Sequence, residues 1–430
     1  MAASLAGKAV ETLLQLLLVT LVPRVLGPSE YGRFALVLAL VTIGSASVSF
    51  SGPTVMSRFV PTVEATRRPA VARALLARLA RWRALQVLML GALPGAAVAA
   101  LVPARVPVWI AALVVGAFAL DVAATLVFQV ALGLGRAGLW SFRFPVQYGI
   151  LVLAAVLLDA ALGPAAAVGA IAVAAGGTFA VGAATALGPI RRAARDEQVP
   201  VGALRFGALQ GASGVFSLVA TRGCVVVAAL MSGSRQQTGF AALAIGVALA
   251  GMQVVVQIFA VELPGLAERA GIRAEGARNG LAGAERSALA LAWRSEWIVL
   301  LLAAAAVFLV EPGLRIAVSR PFAGAADAFY PALGFLVLTP VSALATQAAA
   351  LRLRPSARLL STAAGALAFG VTAVLAVPAW EAAGATSAVL VGAAVTNVVS
   401  AWLFPDLLRG RLLALSLVGA AVVTGVGALR

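Results

Sequence analysis

Apolar runs of about 20 residues, broken by proline, glycine and arginine, recur along almost the whole chain. A helix that crosses a bilayer needs about 20 predominantly apolar residues, so each run is long enough to span. The pattern predicts thirteen transmembrane helices, at 8–26, 33–60, 84–103, 107–133, 142–161, 165–189, 203–231, 238–263, 294–311, 327–350, 358–378, 383–404 and 411–429. The predicted fold class is an all-α polytopic membrane protein.

Composition supports this prediction. Of the 430 residues, 62% are hydrophobic and only 11% are charged, whereas soluble domains have roughly 25% charged residues. The apolar residues are too many for one water-soluble core, which excludes a soluble enzyme, a nucleic-acid-binding module and a fibrous protein. The net charge of +16 is then best explained by basic residues on cytoplasmic connections.

The basic residues also predict the orientation. With the N-terminus inside, 24 of the 32 basic residues fall at the cytoplasmic ends of the spans, 7 fall at the outer ends, and Arg222 lies within the seventh span. This asymmetry is the one that orients membrane proteins. It predicts a multi-pass protein of the bacterial cell (inner) membrane with a cytoplasmic N-terminus. Because Pro23 and Arg24 directly follow the apolar run 13–22, we expect a retained first helix and no cleaved signal peptide.

Two long cytoplasmic stretches, Glu64–Arg83 and Pro264–Trp293, place arginines three to five residues apart among alanine and leucine. This spacing predicts amphipathic helices at the anionic inner leaflet. Solvated connectors that carry positive-inside charges are the equal alternative.

The chain lacks residues that several kinds of catalytic and metal-binding chemistry require. The chain has no histidine, its only lysine, Lys8, precedes alanine where a phosphate-binding loop needs serine or threonine, and its lone cysteine, Cys224, lies in an apolar run. We therefore expect no catalytic residues, no metal site, no cofactor and no nucleic-acid partner. Cys224 is expected to be a small buried hydrophobic residue.

The predicted spans also suggest a duplication. The first six and the next six both begin inside, so two lobes would be related by an axis along the membrane normal, as in transporters with parallel repeats. The predicted domains are an N-terminal six-helix lobe at 1–197, a C-terminal six-helix lobe at 198–405 and an additional transmembrane helix at 406–430.

Charged residues within the spans are the first candidates for a site, because ionisable groups at membrane depth are costly and usually face a cavity or a partner. Asp121 and Arg222 lie near mid-span, while Arg24 and Arg58 lie nearer helix ends. The functional interpretation is that Arg222, with Arg24 or Arg58, contacts an anionic headgroup in a cavity between the halves. The alternatives are an Asp121–Arg222 structural pair and end arginines that snorkel to the interface.

Polar side chains at helical spacing add further candidates. They are Glu11 and Gln15 on the first helix, Gln210 with Ser213, Ser217 and Thr221 on the seventh, and Gln253 with Gln257 on the eighth. Each stripe either lines a cavity or serves helix–helix packing through small and polar residues.

The turn Leu26-Gly27-Pro28-Ser29-Glu30-Tyr31-Gly32 joins the first two spans. It resembles the N-terminal signature of the polysaccharide flippases in the multidrug/oligosaccharidyl-lipid/polysaccharide exporter superfamily. The opening of the eighth span at 238–241, Pro264 at its inner end and the run Ala383–Ala388 at the start of the twelfth span are also similar to that family. Members often carry an acidic residue near the position of Cys224, and here Arg222 stands close by instead.

This resemblance implies two six-helix lobes in a V-shaped bundle that opens alternately to either side. It implies a flippase that moves a lipid-linked saccharide on a polyprenyl-pyrophosphate carrier from the cytoplasmic to the outer leaflet. The expected partners are that substrate and membrane lipids, with H+ or Na+ as an open choice of coupling ion, and the protein is expected to be monomeric. Alternatives are a drug or metabolite cation antiporter, a peptidoglycan-precursor flippase, a membrane glycosyltransferase or polymerase, and a non-transporting scaffold.

Overall fold

A computed structural model of the chain describes residues 2–48, 55–56, 59–61, 63–90, 108–162, 166–194, 197–271, 277–408 and 410–429. These residues form helices and connecting turns without any strand. The long helices are α1 Ala2–Ser47, α2 Arg68–Leu90, α3 Val108–Gly133, α4 Arg143–Leu162, α5 Ala166–Ala186, α6 Ala203–Met231, α7 Arg235–Gly271, α8 Ala277–Gly313, α9 Ala326–Val337, α10 Thr339–Leu351, α11 Pro355–Leu403 and α12 Arg411–Ala428. Shorter helical turns cover Ala137–Ser141, Gly188–Arg191, Leu314–Val318, Arg320–Ala325 and Pro405–Leu408.

Ten helical stretches of the described residues are long and apolar enough to cross a membrane. Two of them, Leu13–Ser45 and Pro355–Leu403, each contain two predicted spans. The ten stretches therefore hold every predicted span except the third, much of which lies outside the described residues. The prediction of an all-α polytopic membrane protein is confirmed.

A break in the helix separates the two spans within each of the longest helices. In α1 the break is at Gly27, whose φ of 72° is readily adopted only by glycine. Pro28 follows directly and cannot donate a helical hydrogen bond. In α11 the break is at Glu381, whose φ is 46°. The turn predicted between the first two spans at Gly27 is therefore where α1 changes direction.

The chain forms two compact units, Met1–Val215 and Phe216–Arg430, with the boundary inside α6. In the first unit, α3 and α4 both pack on α5, while α1 packs on α4 and α2 on α3. In the second unit, α9 and α10 form the centre, and α7, α8, α11 and α12 pack around them. The lobe boundaries at 197 and 405 stay a prediction.

The first cytoplasmic stretch forms α2, which runs without interruption into the start of the predicted third span. The second cytoplasmic stretch, Pro264–Trp293, is helical where the structure describes it. There α7 continues to Gly271 and α8 begins at Ala277, so both segments prolong transmembrane helices. A helix that leaves the bilayer keeps its intrahelical hydrogen bonds and needs no apolar face once it is in water.

An ion pair fastens α8 to the turn after α10. Arg352 donates to both carboxylate oxygens of Glu285, at 2.6 and 3.1 Å, and lies 3.7 Å from Asp406. The hydrogen bond to Glu285 raises the pKa of the Arg352 guanidinium. This paired geometry is the strong form of a charged hydrogen bond, so the contact fixes the end of α8 that the arginine count places on the cytoplasmic side.

The two halves of α11 approach each other closely at Gly365 and Gly392. A Cβ on Gly365 would lie 2.6 Å from the Gly392 carbonyl oxygen and 1.9 Å from Thr396 Oγ1. We expect Gly365→Ala to lower the free energy of unfolding by about 1–3 kcal/mol through overpacking. Gly370→Ala is the matched control on the same helix, because no atom lies within 4 Å of its Cβ position. Thermal unfolding of both purified variants measures the difference, and equal stability would contradict the close approach.

Candidate functional site

A buried polar cluster surrounds Arg143 in the first unit. Arg143, at the start of α4, lies 3.7 Å from Asp121 of α3 and donates through Nη2 to Thr125 Oγ1 at 2.5 Å. Gln147, one turn along α4, donates to Asp121 Oδ1 at 2.9 Å. Asp121 and Arg143 are each less than 10% exposed. We call Glu11, Asp121, Thr125, Arg143 and Gln147 the Arg143 cluster.

Glu11 brings α1 into this cluster. Its side chain is buried, as is that of Gln15 one turn later, and its carboxylate interacts with the charge of Arg143. The two residues lie on one side of α1 because residues four apart share a helix face. The predicted polar stripe of the first helix therefore faces the protein interior.

Aromatic rings complete the surroundings of the guanidinium. The Arg143 guanidinium carbon lies 4.7 Å from the centre of the Phe144 ring and 5.7 Å from that of Trp140. A cation over an aromatic face gains about 0.5–2 kcal/mol. Because Arg143 is only 7% exposed, its charge is balanced chiefly by the carboxylates of Asp121 and Glu11 and little by water.

The partner of Asp121 differs from the one considered in the sequence analysis. Within its own unit, Asp121 lies beside Arg143, whereas the sequence analysis considered Arg222. Arg143 was counted among the cytoplasmic basic residues, but it is 93% buried at the end of a transmembrane helix. A buried carboxylate needs an opposite charge and hydrogen bonds to offset desolvation, and Arg143 with Gln147 provides both.

Arg222 lies in a different environment on α6. Its side chain is half-buried, and within the described residues it makes no ion pair or hydrogen bond. Its neighbours on the helix are packed: a Cβ on Gly223 would lie 3.4 Å from the Phe369 ring, and Cys224 is fully buried. The expectation of a buried Cys224 is confirmed. Arg222 thus lies within a transmembrane stretch without an acidic partner among the described residues.

The other candidates are dispersed. Arg24 and Gln253 have exposed side chains, and Gln210 is half-buried. On the stripe of α6, Ser213 and Thr221 are buried, and the Thr221 hydroxyl donates to the Ser217 carbonyl of its own helix at 2.9 Å. Arg58 and the side chain of Gln257 lie outside the described residues. Their place in a site stays a prediction.

Sequence reasoning missed one buried acid, Glu296 of α8. Its side chain is fully buried, and neither carboxylate oxygen accepts a hydrogen bond from the described residues. The polar group that interacts with it is the Ser416 hydroxyl of α12, which itself donates to the Val337 carbonyl at 3.1 Å. The Ser416 hydroxyl donates its one proton to the backbone, so the Glu296 carboxyl is buried without a hydrogen bond from the described residues. The sequence signal was an acid in the first turn of the ninth predicted span.

We expect Glu296→Gln to leave the stability within about 1 kcal/mol of the wild type, because the amide keeps the shape of the side chain and carries no charge that burial would penalise. Glu296→Lys should prevent folding, since it buries a charge with no described partner. Glu311→Lys on the same helix is the control, because that side chain is 53% exposed. The measurement is thermal unfolding after purification, and a stable Glu296→Lys protein would refute the buried environment.

Two more arginines that were counted as cytoplasmic are buried. Arg83 of α2 donates through Nη2 to Gln129 Oε1 of α3 at 3.1 Å. Arg358 lies in the first turns of α11, and its Nη1 has no hydrogen-bond partner in the described part of the chain. Arg358 lies near the start of α11, whereas Arg83 lies in the second half of α2. Both are less than 10% exposed, and the position of an arginine along the chain did not predict this burial.

The chain was compared with known proteins and structures. No protein-family model and no curated protein sequence matches it. Solved structures do match over nearly the whole length. The lipid II flippase MurJ, in an inward closed conformation, is 8% identical, with 99% of this chain and 97% of that chain covered and a TM-score of 0.64.

Two multidrug-type transporters match over similar lengths. The eukaryotic MATE transporter AtDTX14 is 14% identical, covering 98% of this chain and 97% of its own, with a TM-score of 0.66. An inward-facing multidrug resistance MATE transporter is 14% identical, covering 98% of this chain and 94% of its own, with a TM-score of 0.58. These matches have the fold that the sequence motifs suggested. The chain therefore shares the fold of these solved transporters.

Proposed function

We propose that the chain is a flippase that moves a lipid-linked saccharide, carried on polyprenyl pyrophosphate, from the cytoplasmic to the outer leaflet by alternating access. The fold is that of transporters, and one solved structure that shares it is a lipid II flippase. The turn at Gly27 and the run at 383–388 resemble the polysaccharide branch of the superfamily. A bacterial inner membrane and a cytoplasmic N-terminus belong to the same proposal, on the asymmetry of the arginines.

The observation that carries the proposal is the unbalanced charge of Arg222. The described part of the chain supplies no acid for it, although its guanidinium lies within a transmembrane helix. A planar guanidinium can make paired hydrogen bonds to a pyrophosphate. An anionic headgroup would thus supply the missing counter-charge, and the site would favour the lipid-linked substrate over an uncharged one.

The membrane potential is compatible with this direction of transport. Moving one negative charge outward across an inside-negative membrane releases about 2.3 kcal/mol per 100 mV. A pyrophosphate carries more than one charge, so an inside-negative potential favours its outward movement. The proposed transport does not specify a coupling ion.

A cation antiporter is the second candidate, and the buried carboxylates of the first unit favour it. Glu11 and Asp121 could attract an organic cation. However, Arg143 and Gln147 already engage these acids, so a cation would have to displace a guanidinium that is held by a hydrogen bond and two aromatic rings. These two acids of the first unit are already paired with Arg143, while Arg222 has no acidic partner among the described residues. These charges favour an anionic substrate over an organic cation.

A leaflet-resolved assay in proteoliposomes distinguishes the flippase from the cation antiporter. A fluorescent lipid-linked sugar and a cationic dye are offered to the same preparation under an imposed potential. The proposal expects protein-dependent flipping of the lipid-linked sugar and no transport of the dye. Transport of the dye alone would establish the antiporter instead.

A further inference from the structure

A small cavity opens on the first unit where α2 meets the start of α6. Its volume is about 290 Å3, and it is lined by Arg78, Leu79 and Trp82 of α2 and by Leu204, Arg205 and Ala208 of α6. Two guanidiniums therefore border a cavity whose remaining wall is apolar and aromatic. The proposed substrate site at Arg222 does not include any of these residues.

One face of α2 is anchored beneath the cavity. Leu75 and Leu79 are buried in a cluster that includes Met56, Val130 and Ile190. Residues four apart stack on one side of a helix, so the anchored side leaves Arg78 and Trp82 together on an adjoining side. Both side chains are exposed.

Among the described residues, the acid just before α6 is already paired. Glu197 accepts a hydrogen bond from Arg67, which raises the pKa of that guanidinium, and Arg73 donates to the Ala193 carbonyl. These contacts tie α2 to the segment before α6. Arg78 and Arg205 have no ion pair among the described residues. The cavity therefore has two positive charges to offer to a ligand.

The start of α6 adds to the positive character of the cavity. Leu204 and Arg205 are in the first turn of a helix that begins at Ala203. The first N–H groups of a helix lack partners within it, and the helix dipole places partial positive charge there. Helix N-termini accordingly bind phosphate groups.

The level of the cavity relative to the predicted membrane spans indicates that its ligand is a lipid. The predicted third span begins at 84, just after Trp82, and the predicted seventh begins at 203, just before Leu204. Tryptophan is enriched at the level of the lipid headgroups. A phosphate held there would have its acyl chains beside Leu79, Leu204 and Ala208, whereas a soluble anion would gain nothing from that apolar wall.

We propose that this cavity binds the headgroup of an anionic phospholipid of the cytoplasmic leaflet, with its phosphate between Arg78 and Arg205 and its glycerol region against Trp82. The lipid would link α2 to α6, whose later residues include Arg222. Binding follows from the chemistry of the cavity and does not depend on which substrate the protein transports.

The test uses the full chain in mild detergent and measures binding of phosphatidylglycerol and phosphatidylcholine by native mass spectrometry. We expect selective retention of phosphatidylglycerol. The double variant Arg78→Gln/Arg205→Gln should weaken it by roughly thirtyfold, since each surface arginine contributes about a fivefold preference for anionic lipid. Arg81→Gln is the matched control, because this exposed arginine of α2 is not part of the cavity lining.

Three results would overturn the proposal: equal retention of the two lipids, unchanged phosphatidylglycerol binding by the double variant, or an equal loss in Arg81→Gln. Inorganic pyrophosphate is the probe for a soluble anion. If it competes with phosphatidylglycerol at equal concentration, the cavity recognises phosphate without the lipid. Circular dichroism of the double variant confirms that its helices are intact, so that loss of folding is not mistaken for loss of binding.

Discussion

Replacing Arg143 with methionine is expected to lower the free energy of unfolding by about 3–5 kcal/mol, which is typical when one partner of a buried ion pair is removed. Asp121 would keep the hydrogen bond from Gln147 but lose its counter-charge. The hydrophobic stem of methionine fills much of the space, so the loss comes mainly from the Asp121 carboxylate, which is left without its partner. Thermal and denaturant unfolding of the purified protein measure the effect.

A double-mutant cycle separates charge from packing. Asp121→Asn alone leaves Arg143 short of one negative charge, whereas Arg143→Met with Asp121→Asn removes both members of the pair. We expect the double variant to be more stable than Arg143→Met alone, because contacting charges are coupled. Arg136→Met is the surface control, since Arg136 is exposed just before α4, and its effect should stay within about 0.5 kcal/mol. If Arg143→Met is as stable as this control, the cluster does not hold the first unit together.

The transmembrane helices could be predicted because the bilayer imposes one rule on every segment. A backbone in hydrocarbon must satisfy its own hydrogen bonds, so an apolar run of sufficient length is a helix in almost any tertiary setting. The seventh predicted span and α6 have the same bounds, 203–231. The break at Gly27 was also predictable, because glycine followed by proline stops a helix locally.

The partners of charged side chains could not be predicted in the same way. Asp121 and Arg143 are on different helices, and their pairing depends on how α3 and α4 pack on α5. A count of the arginines on each side of the membrane treats every arginine as a surface charge. It therefore could not predict that Arg143 and Arg83 are buried. Glu296 was missed because it lies at the start of the ninth predicted span, where its position along the chain gives no sign that it is buried.

Arg222→Ala is expected to reduce flipping of a lipid-linked sugar by at least about thirtyfold, which corresponds to the loss of roughly 2 kcal/mol from a charged hydrogen bond. The protein should still fold and insert, because the half-buried side chain makes no contact with an acid in the described residues. Arg222→Lys should retain part of the activity, since an ammonium keeps the charge but lacks the planar fork. The proteoliposome assay with the fluorescent lipid-linked sugar measures all three proteins.

Cys224→Ser is the matched control two residues away. Its thiol is fully buried and donates to the Thr221 carbonyl at 3.0 Å, a contact that a serine hydroxyl can also make. We expect normal flipping by this variant. Loss of activity in both variants would indicate that α6 tolerates no change near this point. Normal flipping by Arg222→Ala would remove Arg222 from the substrate site, and with it the charge argument for an anionic headgroup.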